Sequence, residues 1–162
     1  MKFISSVFLL IFTTYTMANA QSFAYKTLLK GVYDSEFPVI YPENDSLIRK
    51  AVLLDTREKR EYEVSHLENA KWVGYETFDL DLVKDIPKDQ VVIVYCSIGA
   101  RSQDIGKKLQ ASGYSQVYNL YGGIFHWVNE GNRVYNQNGQ TTDIHPYSNT
   151  WGIWLNKGVK RY

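Results

Sequence analysis

The run Val91–Tyr95 (VVIVY) is apolar at every position and far shorter than a membrane-crossing stretch. It reads as a strand buried on both faces, the kind found at the centre of a parallel sheet. Ala51–Leu54 (AVLL), ending at Asp55, repeats the pattern, and Val117–Leu120 supplies a third strand. Between them, Phe78–Lys84 and Ser102–Ala111 have helical character; the second carries Ile105 and Leu109 four apart and Gly113 as its stop. Val39-Ile40 reads as an edge strand, Glu43–Lys50 as a short helix capped by Asn44 or Asp45, and Pro87 as a turn before the Val91 strand. Strands alternating with helices predict an α/β fold around a parallel sheet, with ligands outside the carboxyl ends of its strands. Cys96 stands at such an end.

A chain of 162 residues with 44% hydrophobic side chains supports one ordinary core. The net charge of +1 comes without a basic stripe, which argues against a nucleic-acid partner. The first 20 residues read as a secretory signal. Lys2 gives a positive start, Phe3–Tyr15 an apolar run, and Ala18-Asn19-Ala20 a small-x-small cleavage pattern. Ser5, Ser6, Thr13 and Thr14 interrupt that run, and it falls short of the roughly 20 apolar residues of a spanning helix. The expectation is an exported protein, periplasmic or secreted, with no membrane span after cleavage. Losing Lys2 would leave equal numbers of basic and acidic residues. Cysteine occurs once, at Cys96, so an intrachain disulfide and a cysteine-rich zinc site are excluded. In an exported chain an accessible lone thiol is open to oxidation, which makes its setting the central question.

That setting is Cys96-Ser97-Ile98-Gly99-Ala100-Arg101-Ser102. A strand delivers the sulfur to the sheet edge, and a helix that Ser102 can cap follows. Several backbone N–H groups can then converge on the sulfur, and the helix N-terminus adds partial positive charge. Such surroundings favour a thiolate or persulfide anion. Gly99 provides the positive-φ position that a tight anion-cradling loop needs. Arg101 offers a permanent forked charge for an oxyanion or for bracing the loop. A cysteine closing an apolar strand is, by itself, more often a small core residue. The glycine, arginine and serine that follow, in a strand-to-helix setting, favour a functional loop.

From about Pro38 to Gly131 the chain resembles the rhodanese domain, the sulfurtransferase module. The resemblance rests on Leu53-Leu54-Asp55-Thr56-Arg57-Glu58 with Glu61-Tyr62, on His66-Leu67-Glu68-Asn69-Ala70, on the CSIGARS loop, and on Leu120-Tyr121-Gly122-Gly123-Ile124 with Trp127 and Gly131. It implies a three-layer α/β fold, a central parallel sheet flanked by helices, with Cys96 as the nucleophile that carries sulfur as a persulfide. Ser97, Ile98, Gly99, Ala100, Arg101 and Ser102 would form the substrate loop, and Asp55 and Arg57 would support it. The implied partners are a small sulfur donor (thiosulfate, a persulfide or a polysulfide) and a thiol or cyanide acceptor, including a possible protein acceptor. No metal or organic cofactor is required. The competing reading is a carrier or binding module without turnover on free small molecules. Phosphatase or arsenate-reductase chemistry ranks lower, because Cys96–Arg101 spans six residues and those related enzymes carry one more.

The chain departs from the thiosulfate enzymes where basic residues often stand: Ser97 and Glu61 occupy those positions. Less positive charge weakens the case for the doubly charged thiosulfate unless Arg101, Lys59 or Arg60 compensates. Ser65 and Asn69 replace the glycines of the His66 turn, and Asn tolerates the left-handed backbone. Asp55 and Arg57 are expected to brace their strand end by pairing with Glu58, Glu61 or the backbone. His66, His126 and His145 share no metal-ligand spacing, Gly122-Gly123 reads as a tight turn, and Trp127 as a core anchor. The resulting organisation is a signal at 1–20, a lead-in at 21–37, the domain at 38–131 and an aromatic-rich extension at 132–162 that docks on it.

Overall fold

The computed structural model describes residues 23–162. The signal sequence read in residues 1–20 lies outside them. Two units are distinguished, one ending at Val32 and one running from Tyr33 to Tyr162. The described part of the first is a helix, α1 (residues 23–32), in which the Thr27 hydroxyl donates to the Phe23 carbonyl.

The second unit is built on five parallel strands: β1 (Val39–Ile40), β2 (Val52–Asp55), β3 (Lys71–Trp72), β4 (Val91–Tyr95) and β5 (Gln116–Leu120), in the order β1-β5-β4-β2-β3. The two longest apolar runs lie side by side near its centre, with Leu53 opposite Ile93 and Val92 opposite Val117. Side chains alternate across a sheet, and both faces of β4 are buried. Val92 and Val94 join Leu54, Val117, Ile105 and Leu109 in one cluster, while Ile93 and Tyr95 are fully buried on the opposite side. Helices therefore cover both faces, the arrangement the continuous apolar runs require.

The helices are α2 (Asp45–Ile48), α3 (Lys59–Val64), α4 (Ala100–Ala111) and α5 (Gly123–Asn129). α4 begins two residues earlier than expected. Gly99, at φ 103°, is its N-cap, and Ser102 lies inside the first turn with its hydroxyl donated to Asn119. The stretch Phe78–Lys84 forms only a 3-10 turn, Leu80–Val83. Within it Val83 is buried while Leu80 and Leu82 face solvent, so a single side chain of the turn anchors it. Asn69 takes φ 58°, the left-handed angle that the turn after His66 needs.

Beyond Gly131 the chain packs back on the domain. A hairpin of β6 (Val134–Asn136) and β7 (Gly139–Thr141) bonds through Tyr135 to both backbone groups of His66, each at 2.8 Å. β8 (Asp143–Ile144) pairs in parallel with β9 (Val159–Lys160), and α6 (Asn149–Gly152) is capped by Ser148. The Asn129 side chain on α5 holds the Trp154 carbonyl and the Asn156 amide. Trp127 is not a core anchor. It is half-buried, and its indole N–H donates to the Arg133 carbonyl, tying the end of α5 to the extension while Ile124 and Phe125 fill the interior.

Val134, Ile144 and Leu155 of the extension are buried, and each such side chain is worth about 1.5–3 kcal/mol. Truncation after Gly131 should therefore lower Tm by more than about 5 °C. Thermal unfolding followed by circular dichroism checks this, and an unchanged Tm would refute docking as a source of stability.

Candidate active site

β4 ends at Tyr95, whose carbonyl accepts both the backbone and side-chain donors of Thr56, and the next residue is Cys96. The chain then curls through Ser97, Ile98 and Gly99 into α4. Each of four successive carbonyls in the curl has its own donor. Cys96 O accepts from Ile124 N (2.9 Å) and Ser97 O from Phe125 N (3.1 Å). Ile98 O accepts from the Tyr33 hydroxyl (2.8 Å) and Gly99 O from Asn119 Nδ2 (2.8 Å). In a planar trans peptide the C=O and the following N–H point in opposite directions, so a donor that holds a carbonyl from outside the curl turns the next amide the other way. One such amide, Gly99 N–H, bonds the Cys96 sulfur at 3.1 Å. Where several amides were expected on the sulfur, this one reaches it among the described residues, with the N-terminus of the twelve-residue α4 behind it.

Gly123 explains the double glycine. A Cβ there would lie 2.3 Å from the Cys96 carbonyl oxygen, so only glycine lets α5 approach the loop closely enough for its amides to bond. Gly122-Gly123 is thus a tight turn, both residues at positive φ.

Arg101 braces the loop. Its guanidinium makes two bonds to Glu61, Nη1 to Oε2 at 2.8 Å and Nη2 to Oε1 at 3.0 Å, and Nη2 also donates to the Ser97 hydroxyl. Ser97 in turn donates to Glu61 at 3.0 Å. Glu61 is fully buried and its Oε2 also accepts the Glu58 amide at the start of α3. Burial alone would raise the Glu61 carboxyl, but the Arg101 hydrogen bonds and charge, with Arg57 behind them, hold it below the usual range. Arg101 is 16% exposed, and its charge is secured against burial by Glu61 and by the field of Cys96.

Asp55 and Arg57 form a separate buried pair. Arg57 grips Asp55 through Nε (2.9 Å) and Nη2 (2.6 Å), and Nη2 reaches the Ser65 carbonyl at 2.6 Å. Of the expected partners the backbone is realised at the Ser65 carbonyl, while Glu58 and Glu61 give way to Asp55 itself, because the carboxylate two residues back already presents both oxygens to the fork. The pair locks the end of β2 onto the α3–β3 turn.

The sulfur is less accessible than the sequence implied. Cys96 is 1% exposed, Ser97, Ile98 and Gly99 are buried, and Ala100 is half-buried. Asn119 and Tyr33 were not legible as site residues. Asn119 left one trace, a polar residue inside the strand run VYNL; it supports Gly99 O and accepts from Ser102. Tyr33 left none, standing before the recognisable pattern. From the extension, the Tyr147 ring covers the Arg101 guanidinium at 4.8 Å, beside an open cavity of about 480 Å³ lined in part by Arg60, Tyr75 and Ser148. Buried His145 accepts the Tyr147 amide through Nδ1. Burial first, with the charges of Arg60, Arg57 and Arg101, pushes its imidazole below the usual value against the opposing field of Glu61.

A parallel α/β sheet, a six-residue loop from Cys96 to Arg101 and an amide on the sulfur place a buried free cysteine at a strand-to-helix turn. The description "Rhodanese-like domain" matches residues 43–130, and the chain belongs to that family. Among curated relatives, a tRNA uridine(34) hydroxylase of Enterobacter sp. is 35% identical over 83 residues, 48% of this chain and 24% of that protein. The chain thus spans about a quarter of the hydroxylases it matches. The protein YqhL of Bacillus subtilis is 29% identical over 126 residues, 75% of this chain and 90% of that protein. Among solved structures, a thiosulfate sulfurtransferase of Pseudomonas aeruginosa superposes with a TM-score of 0.55 at 24% identity, covering 62% of this chain and 20% of its own. A rhodanese-related protein of Thermoplasma volcanium gives 0.52 at 24%, covering 60% and 97%. These two share the fold.

Two outcomes follow from the charges. Glu61→Gln leaves Arg101 without its anion and should cost about 3 kcal/mol, read by urea denaturation. A loss below about 1 kcal/mol would show that the pair does not brace the loop. His145 favours the neutral form when folded, so its contribution is complete above about pH 6.5, the ordinary histidine value, and is lost as pH falls below it. Tm measured against pH should fall as pH drops below about 6.5, and His145→Gln should flatten that part of the profile.

Proposed function

We propose that this protein is a sulfurtransferase that carries sulfane sulfur as a persulfide on Cys96. The supporting observation is the Gly99 amide aimed at the Cys96 sulfur within a six-residue loop at the start of α4. The Cys96 thiolate attacks the outer sulfur of a donor. The donor's sulfur–sulfur bond breaks, its electron pair leaves with sulfite or a thiolate, and a Cys96 persulfide anion remains. An acceptor thiolate or cyanide then attacks the terminal sulfur and Cys96 leaves as thiolate. No net oxidant is consumed. The Gly99 amide and the helix N-terminus favour both anions, and a loop one residue shorter than the phosphatase loop suits one sulfur atom better than a tetrahedral oxyanion.

The donor is a persulfide or polysulfide in preference to thiosulfate. Glu61 occupies both arms of Arg101 and engages the Ser97 hydroxyl, so the loop's own cation is already neutralised. A second reading is favoured by the burial of Cys96: a carrier that opens for a protein acceptor and does not turn over on free small molecules. The hydroxylation named for the curated relatives belongs to proteins of which three-quarters lies outside the match, and is not part of this proposal. Export, with cleavage after Ala20, belongs to the same proposal on the strength of the apolar leader, and intact mass of the protein recovered from the cells tests it.

Incubation with thiosulfate, a glutathione persulfide or a polysulfide should add one sulfur atom to the protein by mass spectrometry, and Cys96→Ser should abolish the addition. Multiple turnovers with a thiol acceptor support the enzyme; one loading with partner-dependent discharge supports the carrier. Sulfur transfer surviving in the serine variant would overturn both.

A further inference from the structure

Tyr33 lies outside residues 43–130 and reaches the sulfur loop from the coil before β1. Its hydroxyl accepts the Gly122 amide at 2.6 Å and donates to the Ile98 carbonyl at 2.8 Å. The coil is fastened along α4. The Asp34 amide donates to Gln103 at 2.9 Å, the Asp34 carboxylate meets Lys107 at 2.6 Å, and the Phe37 ring sits where a Cβ on Gly106 would come within 2.4 Å of it. The contact with the loop is equally close: a Cβ on Gly99 would stand 2.1 Å from the Tyr33 oxygen. Burial, with the negative field of Cys96 added, pushes the phenol's ionisation well above the usual value against the pull of the Gly122 amide, so it remains a neutral donor.

The Ile98 carbonyl and the Gly99 N–H belong to one planar peptide and point opposite ways, so a donor that holds the oxygen also aims the hydrogen. That hydrogen goes to the Cys96 sulfur. We propose that Tyr33 is a positioning residue of the sulfur site: its hydroxyl, anchored on Gly122, fixes the Ile98–Gly99 peptide so that its N–H bonds the Cys96 sulfur, and thereby sets how readily that sulfur holds negative charge. The lock matters at this peptide because Gly99, at φ 103°, has no Cβ to oppose rotation of the plane. A hydrogen bond at the carbonyl also polarises the peptide and strengthens its N–H as a donor. The role rests on the reading of Cys96 as the nucleophile.

Alkylation of Cys96, the chain's single cysteine, by iodoacetamide reports the sulfur's charge without any sulfur donor, so absence of sulfur transfer would leave this test intact. Tyr33→Phe keeps the ring and removes the oxygen. Its rate near neutral pH should fall about three- to tenfold, with the midpoint of the pH profile moved up by about half to one unit and the high-pH plateau within about twofold of wild type. Asp34→Ala, which removes the Lys107 ion pair from the same coil and spares the hydroxyl, should keep the wild-type profile. A Tyr33→Phe profile that superposes on wild type overturns the proposal, as does faster alkylation at every pH, the mark of a cover, or an equal shift in Asp34→Ala, the mark of general docking. In the wild-type protein the Gly99 amide resonance should titrate with the alkylation midpoint. An invariant Gly99 resonance overturns the proposal even where the phenylalanine variant does not fold.

Discussion

The bond between Glu61 and Arg101 joins three parts of the molecule that would otherwise be independent. One carboxylate closes the first turn of α3, takes both arms of an arginine on α4 and receives the hydroxyl of the residue after Cys96. A fully buried carboxylate is costly to desolvate, and an ion pair of this kind adds little net stability over apolar residues of the same shape. What it supplies is register. With every oxygen of Glu61 engaged, the start of α4 has one rotational setting relative to α3, and the loop that α4 closes has one length to span. The same bond removes the loop's cation from the service of a substrate, so one interaction sets both the geometry of the sulfur site and its charge.

From the other side the loop is held through its carbonyls. Ile124, Phe125, Asn119 and Tyr33 each take one of the four oxygens from Cys96 to Gly99. Peptide planarity turns the pull on the Ile98 oxygen into an aim for the Gly99 hydrogen, so the one amide seen on the sulfur among the described residues is set by a group that bonds the far side of its peptide. Gly123 matters for the same reason as Gly99. The first lets a helix approach the loop, the second lets the backbone turn beneath Tyr33, and neither position has room for a methyl group.

The parts legible in the sequence were those governed by short-range pattern. Val91–Tyr95 is recovered to the residue because a run apolar at every position has one stable use in a chain of this size, the middle of a covered parallel sheet. The loop was legible because its chemistry is contiguous: sulfur, glycine, arginine and helix start lie within one short segment. Phe78–Lys84 misled because its two leucines are exposed and only Phe78 and Val83 pack on the core, too little buried face to carry a helix by propensity. Ser102 misled because a serine near a helix start has two uses, and here tertiary contact with Asn119 won over the cap that Gly99 already provides. The exchange of Glu58 and Glu61 for Asp55 as the partner of Arg57, and the roles of Asn119 and Tyr33, depend on which distant residues the fold brings together, and no local spacing records that.

The four supports of the loop are not equivalent. Asn119 is in β5, hydrogen-bonded into the sheet on both sides, and Ile124 and Phe125 are in α5, fully buried. Tyr33 comes from coil, held by an ion pair on the surface, one amide bond and a phenylalanine. Local stability follows regular hydrogen bonding and buried apolar contact, so this is the support with the least of either. It is also the support of the one peptide among the described residues whose hydrogen touches the sulfur. The site therefore combines a rigid frame, supplied by the sheet and by α5, with a single adjustable contact supplied from outside the residues that define the family.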